Sequence, residues 1–382
     1  MLSKIKEKNL PYKIVLKNIS PSSYAVTFLI FCFIFPKFYT IALTIFVPIS
    51  AAFLIKKSLT IHMKLTGLTI VILLFILSSL LSASISSDLD RSFNTSLPMW
   101  PGLLVYLLIT YCYKKNSDAL LTFFSLIVIS NAISIYLLYH AINNINLSAI
   151  DLILTQNNVL IDVPNDVSLC ALYVPLLFAL LDSSQIKSKA PLKIVGFLLV
   201  LVTCTVYKSF VGIICLFSSM TFYLLLARNK FQLLALYLSV SICLLVDLAT
   251  GSFLIEKISK TIDLYGWDPR FALWGAALLM FFQLPVLGHG PGTFVTMYQE
   301  YIDVLNIPPN LPLDPRLVPW PHNLYLEILA ERGVIGFFLF SIILIISIYY
   351  SYKIFTFSSM KYKIVVIGLL SSLLGFIIGS FI

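Results

Sequence analysis

Residues 334–352 read VIGFFLFSIILIISIYYSY and contain no charged side chain. A helix of about 20 apolar residues can cross the roughly 30 Å hydrocarbon core of a bilayer. The whole chain of 382 residues has this character, since it is 59% hydrophobic and 11% charged. A soluble domain is about 25% charged. The composition therefore excludes a soluble enzyme, a disordered chain and a disulfide-stapled secreted scaffold, and it predicts an all-α, polytopic membrane helix bundle.

Apolar stretches of span length recur about eleven or twelve times along the chain. This pattern predicts a single membrane domain in three parts: transmembrane helices in 1–255, a long loop at 256–333, and C-terminal transmembrane helices in 334–382. The candidate spans are 22–36, 39–55, 65–85, 98–113, 119–142, 165–182, 192–207, 209–227, 231–255, 334–352 and 364–382.

The net charge of +9 is explained by membrane topology. If the N-terminus is cytoplasmic, most of the 26 Lys and Arg residues fall in cytoplasmic loops, as the positive-inside rule expects. No nucleic-acid partner is needed to account for this charge. The long loop 256–333 then lies on the outer face, where we expect it to form a partly helical cap.

The outer loop contains an apolar run that starts at Asp268, Pro269 and Arg270 and ends at Gln283. Pro suits the first turn of a helix, and the run is too short to span a bilayer. It predicts a helix that lies in the interface or re-enters the membrane. Arg270 is then either an interfacial anchor or an anion clamp beside the free N–H groups of a helix N-terminus.

Two further segments of this loop contain glycine and proline. Residues 287–294 carry three glycines in five positions, which predicts a tight and exposed turn in which His289 is incidental. Because no strand precedes it, this turn is not a nucleotide-binding loop. Residues 308–321 are Pro-rich and predict an extended lid or wall.

His322 precedes a predicted short helix that Asn323 begins and Gly333 ends. A helix N-terminus favours a neutral imidazole, which is the form that a general base needs. The alternative is a loop histidine that is hydrogen-bonded to backbone.

These residues form a recognisable pattern. His322 and Asn323 are followed after nine residues by Gly333, and after two more by Gly336. This spacing resembles the signature of bacterial O-antigen ligases. Residues 270–277 and 285–294 are similar to the block shared across the O-antigen ligase and polymerase superfamily.

The resemblance implies a membrane glycosyltransferase that uses no metal and no cofactor. It implies a glycan donor linked to undecaprenyl pyrophosphate, transferred on the periplasmic face of the bacterial inner membrane. A ligase would use a sugar hydroxyl of lipid A core as acceptor, and a polymerase would use a lipid-linked repeat unit.

The same resemblance assigns roles to single residues. His322 matches the proposed base, and Arg270 matches a pyrophosphate-binding arginine. Lys208 stands where the family has a second arginine, although it lacks the bidentate fork and is alternatively a turn cap. Apart from the resemblance, further candidate substrate contacts are Asn323, Arg316 and Glu327. The alternatives are a local pair with Asp314 for Arg316 and a surface ion pair with Arg332 for Glu327.

Other functions stay open at this point. The complete His-Asn signature favours a ligase over a polymerase, whereas Arg91 and Gly102 have a spacing that resembles a polymerase loop motif. A transporter or flippase would carry paired charges deep in several spans. A non-catalytic scaffold would tolerate the loss of His322 and Arg270.

Overall fold

The computed structural model describes residues 23–24, 26–28, 30, 47–52, 65–113, 116–144, 163–184, 189–250, 269–302, 304–305, 320–357 and 359–381. These residues form helices, turns and short connections, and they contain no strand. The helices are α1 (Gly67–Ser84), α2 (Leu89–Ser96), α3 (Met99–Cys112), α4 (Asn116–Asn143), α5 (Val163–Ser183), α6 (Ala190–Val206), α7 (Phe210–Leu226), α8 (Lys230–Thr250), α9 (Pro269–Gln283), α10 (Phe294–Ile302), α11 (Leu324–Phe357) and α12 (Met360–Gly379).

The predicted all-α, polytopic membrane bundle is confirmed. Within the described ranges, four helices are long and apolar enough to cross a bilayer. They lie in α1, α4, α11 and α12, and shorter apolar helices accompany them. The expected spans 22–36 and 39–55 fall largely outside the described residues. The division at 255 and 333 stays a prediction.

The chain forms two compact units. The first consists of residues 1–64 and 101–166. In this unit Ser23 Oγ donates a buried hydrogen bond of 2.7 Å to Asp118 Oδ1. The small buried hydrophobic cluster there contains Val26, Leu104 and Leu108.

The second unit consists of residues 65–100 and 167–382. Its main pairs are α7 with α12, α1 with α11, α9 with α11, and α11 with α12. Small residues allow α12 to approach its neighbours closely, as is usual between membrane helices. A Cβ built at Gly375 would lie 2.7 Å from Ser219 Cβ, and one at Gly379 would overlap Cys215 Sγ. Because the numbers rise along α12 as they fall along α7, the two helices are antiparallel.

Basic side chains mark one end of this second unit, where α5 and α7 end and α6 and α12 begin. Lys193 Nζ lies 2.5 Å from Asp182 Oδ1, and the Tyr223 hydroxyl donates to Asp182 Oδ2 at 2.8 Å. Arg228 and Lys363 follow the end of α7 and the start of α12. We call this the basal end, and the opposite end, where α7 begins and α12 ends, the site end.

Helix α11 consists of two helical segments that meet at Gly333, so the short helix predicted between Asn323 and Gly333 is confirmed. Gly333 has a φ of 62° and a non-helical backbone, and the second segment runs from there to Phe357. A Cβ at Gly333 would overlap the Val286 carbonyl, and Val334 N donates to Pro285 O at 2.8 Å. Gly333 therefore ends the first helical segment and also permits a close crossing of two backbones.

Candidate functional site

Helix α9 is tied to the segment that carries His322. Arg270 lies in the first turn of α9 and is half-buried. One turn later, Trp274 Nε1 donates to the Pro321 carbonyl at 2.9 Å. Because Pro321 immediately precedes His322, this bond brings the two predicted site residues into one region.

A hydrophobic core supports this arrangement. Helices α9 and α10 and the first turns of α11 share one buried cluster, while the other face of α9 exposes large apolar side chains such as Phe271 and Phe282. This division is what a helix at a membrane interface requires. The cluster contains Ala272, Leu273, Ala276, Ala277, Met280, Phe294, Tyr298 and Ala330.

His322 is held in an unusual backbone conformation directly before α11. Its φ is 52°, in the left-handed region, and its side chain is half-buried. The predicted N-cap follows it: Asn323 Oδ1 accepts from the backbone N–H groups of Tyr325 and Leu326, both at 3.1 Å. A non-glycine residue at positive φ costs about 1–2 kcal/mol, so the surrounding contacts must fix His322 firmly.

The end of α12 lies against this cap. Leu324 N donates to Ser380 O at 2.9 Å, and Asn323 Nδ2 donates to Phe381 O at 3.2 Å. The side-chain amide of Asn323 is thus engaged by backbone groups on both sides. These bonds place His322 at the site end of the bundle.

Lys208 lies at the same end. It directly precedes the N-cap of α7, and a Cβ at Gly379, near the end of α12, would lie 3.7 Å from Val211 Cγ1. The Lys208 side chain is exposed, and its φ is 49°. The structure therefore brings Lys208, Arg270 and His322 to one end of the second unit.

The turn at Lys208 has a structural explanation of its own. Lys208 N donates to Thr205 O and Ser209 N to Cys204 O, which is the Schellman pattern with Lys208 in the left-handed position. Arg228 and Asn229 repeat both bonds at the basal end, and the φ of Arg228 is 57°. The backbone of Lys208 thus forms a turn between two helices, as the turn-cap interpretation of this residue predicted. Its side chain is exposed to the surroundings.

The glycine segment Gly288–Phe294 is buried, which corrects the expectation of an exposed turn. Gly288, Gly290 and Gly292 have φ values of 70°, 108° and 78°. A Cβ at Gly288 would overlap the Glu331 backbone, and one at Gly290 would lie 2.6 Å from Ser86 and Ser92. We call residues 288–292 the glycine loop; it passes between α2 and the kink of α11.

Gly288→Ala is expected to destabilise the folded protein by about 1–3 kcal/mol, because its Cβ meets rigid backbone at a positive φ. Gly102→Ala is the matched control, since nothing lies within 4 Å of a Cβ there. Thermal unfolding of both purified variants measures the effect. A Gly288→Ala protein as stable as the Gly102→Ala protein would contradict this account of the glycine loop.

Glu331 lies in α11 beside the glycine loop, and no motif in the sequence singles it out. It is completely buried. Its Oε1 accepts from Phe294 N at 3.3 Å, the Gly292 N–H lies near the same carboxyl group, and Arg332 Nη1 lies 3.4 Å from Oε2. No local sequence signal predicts the partners at 292 and 294, because they are some 40 residues away.

Arg91 also contacts the glycine loop. Its side-chain Nε donates to Gly292 O at 2.8 Å, and its backbone N–H donates to Asp88 Oδ1 at 3.1 Å. Arg91 therefore supports the loop through its side chain and lies in the first turn of α2. The spacing that drew attention to it in the sequence does not by itself indicate this contact.

Two predicted substrate contacts remain, and the structure describes Glu327 but not Arg316. Glu327 is half-buried, and its carboxyl group lies near the Trp320 side chain. Arg332, the alternative partner of Glu327, contacts Glu331. Arg316 and most of the Pro-rich stretch lie outside the described residues.

His289 has a defined role in packing. Its Nε2 donates to the Met280 carbonyl at 3.0 Å, and its ring meets Tyr301 edge-on at 5.9 Å between centroids. Burial lowers the pKa of His289, and the hydrogen bond to Met280 opposes that shift in part. The imidazole connects the ends of α9 and α10.

Comparison with known proteins adds one finding. No curated protein matches the chain. Residues 194–341 match a family model described as O-antigen ligase. The matched region contains Lys208, Arg270, the glycine loop and His322. Over residues 194–341, the chain is therefore similar to the O-antigen ligase family.

Proposed function

We propose that the protein transfers a glycan from undecaprenyl pyrophosphate to a sugar hydroxyl, and that it is an O-antigen ligase whose acceptor is lipid A core. The observation that carries this proposal is the convergence of His322, Arg270 and Lys208 at one end of the bundle, inside the region that matches the family. The match of residues 194–341 to the O-antigen ligase family supports a membrane glycan transferase.

In the proposed reaction, the acceptor hydroxyl oxygen attacks the anomeric carbon of the donor glycan. His322 takes the proton of that hydroxyl as a general base. The bond between the anomeric carbon and the pyrophosphate oxygen breaks, and undecaprenyl pyrophosphate leaves with the electron pair. The backbone at His322, fixed by the cap at Asn323 and by the bond from Trp274 to Pro321, supplies the orientation that such a base needs.

Negative charge accumulates on the pyrophosphate as its bond to the sugar breaks. Arg270, near the N-terminus of α9, and Lys208, before the N-cap of α7, are the cations proposed to stabilise it. Both positions are close to the free N–H groups of a helix N-terminus, which also favour anions. Two fixed cations would perform the charge compensation for which other transferases use a divalent metal.

The orientation in the membrane is part of the proposal. The basal end carries Lys193, Arg228 and Lys363, and cytoplasmic loops are enriched in such residues. The site end would then face the periplasm of a bacterial inner membrane. Candidate glycan contacts on this side are Asn323, Glu327 and Arg316.

A repeat-unit polymerase is the second candidate, with a lipid-linked glycan as acceptor. The observation that favours it is Arg91: this residue has a polymerase-like spacing in the sequence, and it contacts the glycine loop of the same unit. The two candidates share donor, base and cations and differ only in acceptor.

The test compares, on a gel, the lipopolysaccharide of a strain that lacks this gene with the lipopolysaccharide of complemented strains. A ligase predicts bare core together with long undecaprenyl-linked chains. A polymerase predicts core that carries a single repeat unit. An unchanged ladder in the deletion strain would contradict both candidates.

Lys208→Gly is expected to lower transfer about 10-fold or more, because it removes one of two proposed charges on the leaving group. Glycine adopts the left-handed φ of this turn without strain, so the fold should be retained. Arg228→Gly is the matched control, since it makes the same change in the same turn at the basal end. Equal transfer rates in the two variants would show that Lys208 is only a turn residue.

A further inference from the structure

We infer that Glu331 is a positioning residue of the transfer site: it clamps the glycine loop and thereby fixes the α9 helix of Arg270 against the α11 segment that begins at His322. This inference rests on the proposed function for its catalytic consequence. The clamp itself rests only on contacts within the second unit.

The side chain of Glu331 makes the first half of the clamp. Its carboxylate is completely buried, and burial of a charge is costly unless the charge is paired and hydrogen-bonded. Its partners are Arg332 Nη1 and the Phe294 N–H, which belongs to the first residue of α10, and the Gly292 N–H lies near the same carboxyl group. One carboxylate therefore holds both the end of the glycine loop and the N-terminus of α10, where negative charge is favoured.

The backbone of Glu331 makes the second half. Its carbonyl accepts from Ser82 Oγ at 2.7 Å and from Gly290 N at 2.9 Å. The neighbouring Ala330 carbonyl accepts from His289 N at 3.1 Å. Helix α1, the glycine loop and α11 thus meet at a single peptide.

The clamp determines the position of the site because α9 and the start of α11 are tied twice. The first tie is the bond from Trp274 to the Pro321 carbonyl, next to His322. The second is the Glu331 clamp, at the other end of the same α11 segment, which holds the loop that follows α9. Together with the shared buried cluster, these two contacts fix the spacing and the rotation of α9 relative to this segment. Loss of the second contact weakens this restraint, and a shift of α9 would change the distance between Arg270 and His322.

Glutamine cannot replace this carboxylate fully. The amide of a Glu331→Gln variant has a single oxygen, which can accept either from Phe294 N or from Arg332. Its NH₂ group then faces the other of these two donors, and no hydrogen bond forms there. A misplacement of about 1 Å at a reacting centre costs about 10²-fold in rate. We expect Glu331→Gln to lower kcat about 10- to 100-fold with KM changed less than about threefold, because catalytic geometry changes while the binding groups remain.

The experiment uses the full-length protein in proteoliposomes, with an undecaprenyl pyrophosphate-linked glycan as the varied substrate. Hydrogen exchange of the backbone amides at 288–294 is measured on the same preparations. Glu300→Gln is the matched control, because Glu300 lies on the exposed surface of α10, and it should leave both readouts at wild-type values. Faster exchange in the glycine loop together with a lower kcat in Glu331→Gln is the expected result.

Other outcomes overturn the inference. Wild-type exchange in a folded Glu331→Gln protein shows that no clamp exists, and faster exchange with an unchanged kcat shows that the clamp does not position the site. If Glu331→Gln does not fold, Ser82→Ala replaces it, since it removes only the hydrogen bond to the Glu331 carbonyl. Hydrogen exchange at 288–294 and kcat are then measured in the Ser82→Ala protein, and the same outcomes support or overturn the inference. A wild-type protein without transfer activity would instead contradict the proposed function, and the exchange data would still decide whether the clamp exists.

Discussion

His322→Asn is expected to lower the rate of glycan transfer by about 10²–10⁴-fold, the usual contribution of a general base. Asparagine tolerates the left-handed backbone that His322 adopts, and the capping bonds of Asn323 do not depend on the imidazole. The variant should therefore fold normally and lose only the proton acceptor. Transfer by the reconstituted protein and thermal unfolding of the same sample measure the two effects.

His322→Gly serves as the control for backbone strain. Glycine also fits a φ of 52°, so this variant should be as inactive as His322→Asn and equally well folded. If either variant keeps transfer within threefold of wild type, His322 is only a loop histidine, which is the alternative that the sequence left open.

Arg270→Ala is expected to lower transfer by about 10²–10³-fold, comparable to the removal of one preorganised donor from an anion site. Arg270→Lys keeps the charge but loses the planar fork that matches a phosphate, so it should restore only part of the rate. Initial rates at saturating donor measure both variants.

The lysine variant separates the two interpretations of Arg270. An interfacial anchor needs only a long cationic side chain, so that interpretation predicts wild-type transfer for Arg270→Lys. Arg228→Lys makes the same exchange at the basal end and should leave transfer unchanged. Wild-type rates in both lysine variants would contradict the anion-clamp role.

Much of the fold could be predicted because bilayer thickness imposes a simple rule on sequence. Apolar stretches predicted α1, α7 and α12 to within a few residues, and Pro269 and Gln283 bound α9 as expected. Local chemistry also predicted the Asn323 cap and the positive φ of Gly333. The first segment of α11 ends at Gly333 as expected, and the second segment begins directly after it, where the span 334–352 was predicted.

The candidate site was predictable only where its residues form one continuous pattern. His322, Arg270 and Lys208 were identified by motif and resemblance, and the structure brings them to one end. The burial of the glycine loop was missed because its neighbours at Ser86 and Ser92 lie about 200 residues earlier in the chain. The clamp at Glu331 was missed for the same reason, since long-range contacts leave no periodic signal.

The most direct test of the central claim is transfer by the purified protein in proteoliposomes. The donor is an undecaprenyl pyrophosphate-linked glycan, the acceptor is lipid A core, and EDTA is present to chelate divalent metal. We expect glycan on the acceptor and one released undecaprenyl pyrophosphate for each chain transferred. If the donor stays intact both when lipid A core is the acceptor and when a lipid-linked glycan is the acceptor, the account is contradicted.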